Sequence, residues 1–103
     1  MPQISVRGVR TEDIATMSAE LSQKLANIFD TTVDNLFFQE EIVRFYSLGE
    51  CVDLYPLIEI KLFDRGTEVE KSVYETIKNY LENKGYKDIE VYFIHLEERS
   101  YFY

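Results

Sequence analysis

Apolar residues fall on alternate positions in some stretches of this chain and at spacings of three and four in others. Ile4 and Val6 share one face of a first strand, with Gln3, Ser5 and Arg7 on the other. Ile14, Met17, Leu21, Leu25 and Ile28 then recur at helical spacing, which predicts an amphipathic helix over about residues 12–29. Thr11 stands where an N-cap belongs, and Glu12 and Asp13 occupy the first turn, where the helix dipole favours acids. The polar stretch Asp30-Thr31-Thr32-Val33-Asp34 returns the chain to an extended segment that begins at Leu36 and runs to about Tyr46. A bulge or an exposed edge accounts for the broken alternation at Glu40-Glu41. Ser47-Leu48-Gly49-Glu50 reads as a loop, and Cys51 to Tyr55 follows no clear period.

The pattern then repeats. Ile58, Ile60 and Leu62 lie on one face of a strand, and Leu57, Glu59, Lys61 and Phe63 lie on the other. Asp64-Arg65-Gly66 turns the chain, and Thr67-Glu68-Val69-Glu70 has the spacing of a capping box. Val69, Val73, Ile77, Tyr80 and Leu81 form the stripe of a second helix, which Lys84-Gly85 ends. Residues 89–96 make a fourth strand, and Tyr101-Phe102-Tyr103 offers a short fifth. A shift of 56 residues lays Thr11 on Thr67, Ile4 on Ile60, Met17 on Val73, Leu25 on Leu81 and Phe37 on Phe93. The expected fold is therefore α/β (α+β): tandem β-α-β units, about 2–46 and 56–96, in one domain spanning 1–103. Right-handed crossovers then give a four-stranded mixed sheet with two helices on one face. The other face needs a cover.

Composition narrows the function. A net charge of −8 argues against nucleic acid or an anionic membrane surface as partners. No apolar run approaches the roughly 18 residues of a membrane helix, and no basic segment precedes an apolar one at the N-terminus, so the expected location is cytoplasmic. One cysteine, Cys51, and one histidine, His95, point to neither a disulfide nor a metal site, and no cofactor is expected. Of eight Tyr and seven Phe, eight lie in residues 37–55 or at 101–103; those at 37–55 either fill the core or meet another subunit, and the chain-end cluster favours a contact.

Candidate chemistry begins at Met1-Pro2. Loss of Met1 exposes a proline amine, a secondary amine on a rigid ring, as the first atom of a strand. An apolar wall or a neighbouring cation depresses the pKa of such an amine, so that it can take and return a proton. A Met-Pro start leading directly into a strand, followed by two β-α-β units, resembles the tautomerase superfamily, which includes 4-oxalocrotonate tautomerase and macrophage migration inhibitory factor. The resemblance covers essentially the whole chain and is to the fused two-unit type. It implies a homotrimer whose sheets face one another, and Pro2 as the general base or acid that isomerises a small enol or keto carboxylate. It further implies that Arg10 binds a carboxylate and that Tyr92 is a pocket tyrosine donating to an enolate oxygen, with core packing as the equal alternative for Tyr92. Thr31-Thr32 stands where the inhibitory-factor branch has a lysine, and Phe37 where oxalocrotonate tautomerase has an arginine, so either the substrate differs from theirs or the site is vestigial.

Two more candidates come from the residues themselves. Antiparallel central strands set Lys61 and Phe63 beside Pro2, where a lysine lowers the amine pKa and binds an anion; a solvated strand lysine is the plainer alternative. Arg44, a cation in an aromatic stretch, either reaches a neighbouring subunit's pocket or pairs with Glu40 or Glu41 at the surface. The rival to an enzyme is a ferredoxin-like binding or assembly module, which uses the same element order, or a tautomerase fold with a vestigial site.

Overall fold

The computed structural model describes residues 2–103. Its first strand, β1 (Gln3–Arg7), leads through a tight turn into α1 (Thr11–Phe29) and then β2 (Phe37–Glu40). A hairpin of β3 (Phe45–Ser47) and β4 (Glu50–Val52) follows, and β5 (Leu57–Phe63), α2 (Thr67–Asn83) and β6 (Glu90–Leu96) complete the repeat. The main sheet has the order β2-β1-β5-β6. Its outer pairs are parallel and its central pair is antiparallel, with Gln3 opposite Lys61 and Ile4 opposite Ile60. Each β-α-β unit thus supplies one parallel pair, and the two units join back to back at β1 and β5. The expected four-stranded mixed sheet is borne out.

Alternation decides which face is covered. Ile4, Val6, Ile58, Ile60 and Leu62 are all 1% exposed or less and face Met17, Leu25, Val73, Ile77 and Leu81 of the helices. Burying a side chain of this size is worth about 1.5–3 kcal/mol, so the helices are held chiefly by this layer. The opposite face carries Arg7, Glu59, Lys61, Tyr92 and Ile94, and nothing among the described residues covers it fully: Phe37 is 69% exposed and Ile94 40%. Neither helix is long and apolar enough to cross a membrane.

Several local expectations are corrected. Neither threonine caps its helix by a side-chain bond: the N-caps are Arg10 and Gly66. The Thr11 hydroxyl instead donates to Glu40 across the parallel pair at 2.6 Å, and Glu70 engages His95. The turn before α2 is closed by Asp64, whose Oδ1 accepts the Gly66 N–H at 2.9 Å, so Thr67 is already helical. The extended segment after α1 leaves the sheet at Glu40 and does not run on to Tyr46. The stretch 47–50, read as a loop, is the tip of a hairpin: Leu48 (φ 51°) and Gly49 (φ 86°) are both left-handed, as a two-residue hairpin turn requires. The aromatic tail forms no fifth strand among the described residues; a short helical turn, Glu98–Ser100, lets Tyr101 pack edge-on against Phe63 at 5.3 Å.

Gly8 ends β1 with φ +76°, and a Cβ there would stand 2.3 Å from the Tyr55 carbonyl oxygen. Backbone, not a side chain, occupies that space. Gly8→Ala is expected to cost about 3 kcal/mol, from left-handed strain plus displacement of the 54–55 segment. Urea unfolding against the parent chain measures it.

Candidate active site at the start of the first strand

Pro2 is fully buried. It lies on the helix-facing side of β1, because Ile4 and Val6 do, and the pairing registers continued by one residue set it between Leu36 and Leu62. Both leucines are buried, Leu36 at 7% and Leu62 at 1% exposure. Gln3 faces Lys61 at the next position, so Lys61 and Phe63 flank the proline from the opposite face of the adjacent strand. An amine at this point has an apolar wall on both sides and a cation one register step away. Met1 lies outside the described residues.

Tyr92 sits on the uncovered face, beside Glu59 in the β5–β6 register. Its oxygen accepts a hydrogen bond from Arg7 Nη2 at 2.7 Å, and the guanidinium lies 5.9 Å from its ring centre. Arg7 also stands 3.4 Å from Glu41 and 3.5 Å from Glu59, with its side chain 16% exposed. The hydrogen bond to Tyr92, first, and the two carboxylates hold this guanidinium charged. Because Tyr92 accepts here, its own hydroxyl proton remains available to another acceptor. Sequence reading passed over Arg7. The available signal was a strand arginine facing the same side as Glu59 of a strand predicted to be its antiparallel neighbour.

The other two candidate cations are at the far end of the sheet. β1 separates Pro2 from Arg10 by on the order of 20 Å, given the rise of an extended chain. Arg10 is already engaged: it bonds Asp13 at 2.9 Å, and its guanidinium lies 4.8 Å from the centre of the Tyr86 ring. Tyr86 completes a cap that the sequence did not reveal, accepting the Arg10 N–H at 3.0 Å and donating to Asp13. That bond from Tyr86, and then the Arg10 charge, hold the Asp13 carboxyl below its usual range, while burial raises the Tyr86 hydroxyl. Arg44 makes no ion pair among the described residues, so the expected partnership with Glu40 or Glu41 is absent; Glu41 is taken by Arg7. Arg44 and Arg10 line one groove of about 810 Å³ with Glu41, Tyr55 and Lys87. Within one chain the structure therefore sets Lys61 one register step from Pro2 but on the opposite sheet face, leaves Tyr92 further along that face, and keeps Arg10 and Arg44 at the far end of the sheet.

Comparison with known proteins agrees with this architecture. No curated protein matches the chain. Among solved structures, a domain of unknown function from Sebaldella termitidis superposes with a TM-score of 0.93 at 26% identity, over 100% of this chain and 95% of that one. A fused 4-oxalocrotonate tautomerase, solved as an asymmetric trimer, gives 0.74 at 13% identity over 98% and 91%. A macrophage migration inhibitory factor-like protein from Entamoeba histolytica gives 0.69 at 19% over 99% and 92%. The tautomerase-type fold expected from the Met-Pro start and the tandem units is thus the fold of this chain. The family described as Domain of unknown function (DUF1904) matches residues 1–103 end to end, and the chain belongs to that family.

Proposed function

We infer that this chain is a cofactor-independent, tautomerase-type isomerase in which the Pro2 amine, freed by loss of Met1, moves a proton between oxygen and carbon of a small enol or keto carboxylate. In ketonisation the amine takes the enol hydroxyl proton as the carbonyl forms, and the resulting ammonium returns a proton to the neighbouring carbon. Atoms and charge balance without a further reactant. Lys61 attracts the substrate carboxylate and favours the neutral amine. Tyr92 lies three residues along and two strands across from Pro2, so in a homotrimer it serves a neighbouring subunit's site, where its hydroxyl donates a hydrogen bond to the developing enolate oxygen while Arg7 holds its own oxygen.

The observation that carries this reading is the burial of Pro2 between Leu36 and Leu62 at the anchored start of a central strand. A proline on a loose tail has no such wall. The uncovered sheet face, with Phe37, Tyr92 and Ile94 exposed on it, supports a homotrimer in which neighbouring sheets cover one another. In that assembly Arg10 and Arg44 serve a neighbouring subunit's pocket, and the location is cytoplasmic.

The test is a ketonisation assay on a panel of aryl and dicarboxylic enols with tag-free protein. Isomerisation above the buffer rate for at least one class is expected. Buffer-level rates for every enol overturn the assignment and leave the binding-module alternative.

A further inference from the structure

A second cluster of chemically capable side chains lies outside the site just described. Asp64 from the β5–α2 turn, Glu70 from the first turns of α2 and His95 from β6 each present one ligand atom, all within 4.8 Å of one another. Three separate elements converge there, and they bring the single histidine of the chain. His95 Nε2 lies 2.6 Å from Glu70 Oε2. Asp64 is oriented by the Gly66 N–H at Oδ1, and its second oxygen has no hydrogen-bond partner among the described residues.

We propose that Asp64, Glu70 and His95 form a binding site for a divalent transition-metal cation of the Zn²⁺ class. The donor set is one imidazole nitrogen and two carboxylates. A nitrogen donor disfavours Mg²⁺ and Ca²⁺, which take oxygen, and suits zinc and its neighbours. Ligand atoms about 2.0–2.2 Å from zinc stand roughly 3.4 Å apart in a tetrahedron, within the span these three already occupy. Two carboxylates and a neutral imidazole balance a dication. The site is reachable: the His95 side chain is 46% exposed and that of Glu70 18%. Three protein ligands leave at least one coordination position for water or a small anion, the arrangement of an open rather than a closed site.

The cysteine and histidine count alone hides this site, because two of its ligands are carboxylates from a turn and a helix start. The sheet register gives it a further meaning. His95 faces Leu62, and Leu62 faces Pro2, so the cluster lies at the same end of the sheet as the proline, two strands across. Cation binding here is independent of whether Pro2 transfers protons, and it is read without any assay of turnover.

The experiment is isothermal titration of tag-free, chelator-treated full-length chain with Zn²⁺, followed by thermal unfolding of the loaded protein. One equivalent per chain and a raised Tm are expected for the parent. His95→Gln, Glu70→Gln and Asp64→Asn are each expected to weaken binding at least about 10-fold, the loss typical of a removed or disoriented ligand. Cys51→Ser is expected to bind as the parent does, because Cys51 lies in β4 at the exposed hairpin. Circular dichroism confirms that each variant is folded, and three independent ligand variants keep the test open should one fail. No saturable binding by the parent, binding unchanged in all folded ligand variants, or binding abolished by Cys51→Ser overturns the proposal.

Discussion

Pro2→Ala is expected to lower kcat/KM for ketonisation by about 10²-fold, at the lower end of what a positioned proton-transfer group contributes. The loss is partial because the variant still begins with an amine once Met1 is gone. What it loses is the ring. In the parent the ring is fully buried beside Leu36 and Leu62, and that packing fixes the nitrogen. An alanine amine turns about an extra bond, samples solvent and reverts toward ordinary α-amine behaviour, so fewer encounters are productive. The buried ring also contributes to packing, and its removal costs about 1–2 kcal/mol of stability, which unfolding reports separately from rate. A drop in rate with KM little changed marks loss of the transferring group; a rise in KM alone marks a binding role.

Arg7→Met is expected to destabilise the chain by about 3 kcal/mol, as breaking a largely buried ion pair does. Among the described residues Arg7 is the one cation paired with Glu41, Glu59 and the Tyr92 oxygen, and its side chain is 16% exposed. Methionine fills much of the volume but leaves two carboxylates near one another and Tyr92 without its donor. Combining Arg7→Met with Glu59→Gln removes part of that repulsion and is expected to restore about half of the loss, which a double-mutant cycle reads directly. If Arg7 were an ordinary surface arginine, the single variant would fall within roughly 0.5 kcal/mol of the parent. Because Arg7 faces the uncovered side of the sheet, light scattering of the same variant also tests whether that face joins subunits.

The main sheet was legible because its order depends on patterns that survive in one dimension. Alternating Ile4 and Val6, and Ile58, Ile60 and Leu62, identify the strands, and right-handed crossovers leave few ways to arrange them. The helix starts were misread for a physical reason. A threonine hydroxyl can serve its own helix or a neighbour, and Glu40 lies within 2.6 Å of Thr11 only once β2 has paired with β1. The hairpin was hidden because Leu48, and not asparagine or aspartate, occupies a left-handed position. At the candidate site, the placing of Lys61 one register step from Pro2 follows from antiparallel pairing alone. The separation of Arg10 and Arg44 from Pro2 follows from strand length, and the engagement of Arg10 by Tyr86 from a contact 76 residues away in sequence.

The measurement that bears most directly on the central claim compares one sequence in two states, with Met1 removed and with Met1 retained. Every side chain from Pro2 onward is the same in both; the retained form adds Met1 and turns the Pro2 nitrogen from an amine that can hold a proton into an amide that cannot. With thermal unfolding showing both forms folded, the retained form is expected to lose about 10²- to 10⁴-fold in kcat/KM. Equal ketonisation rates for the two forms would contradict proton transfer by Pro2.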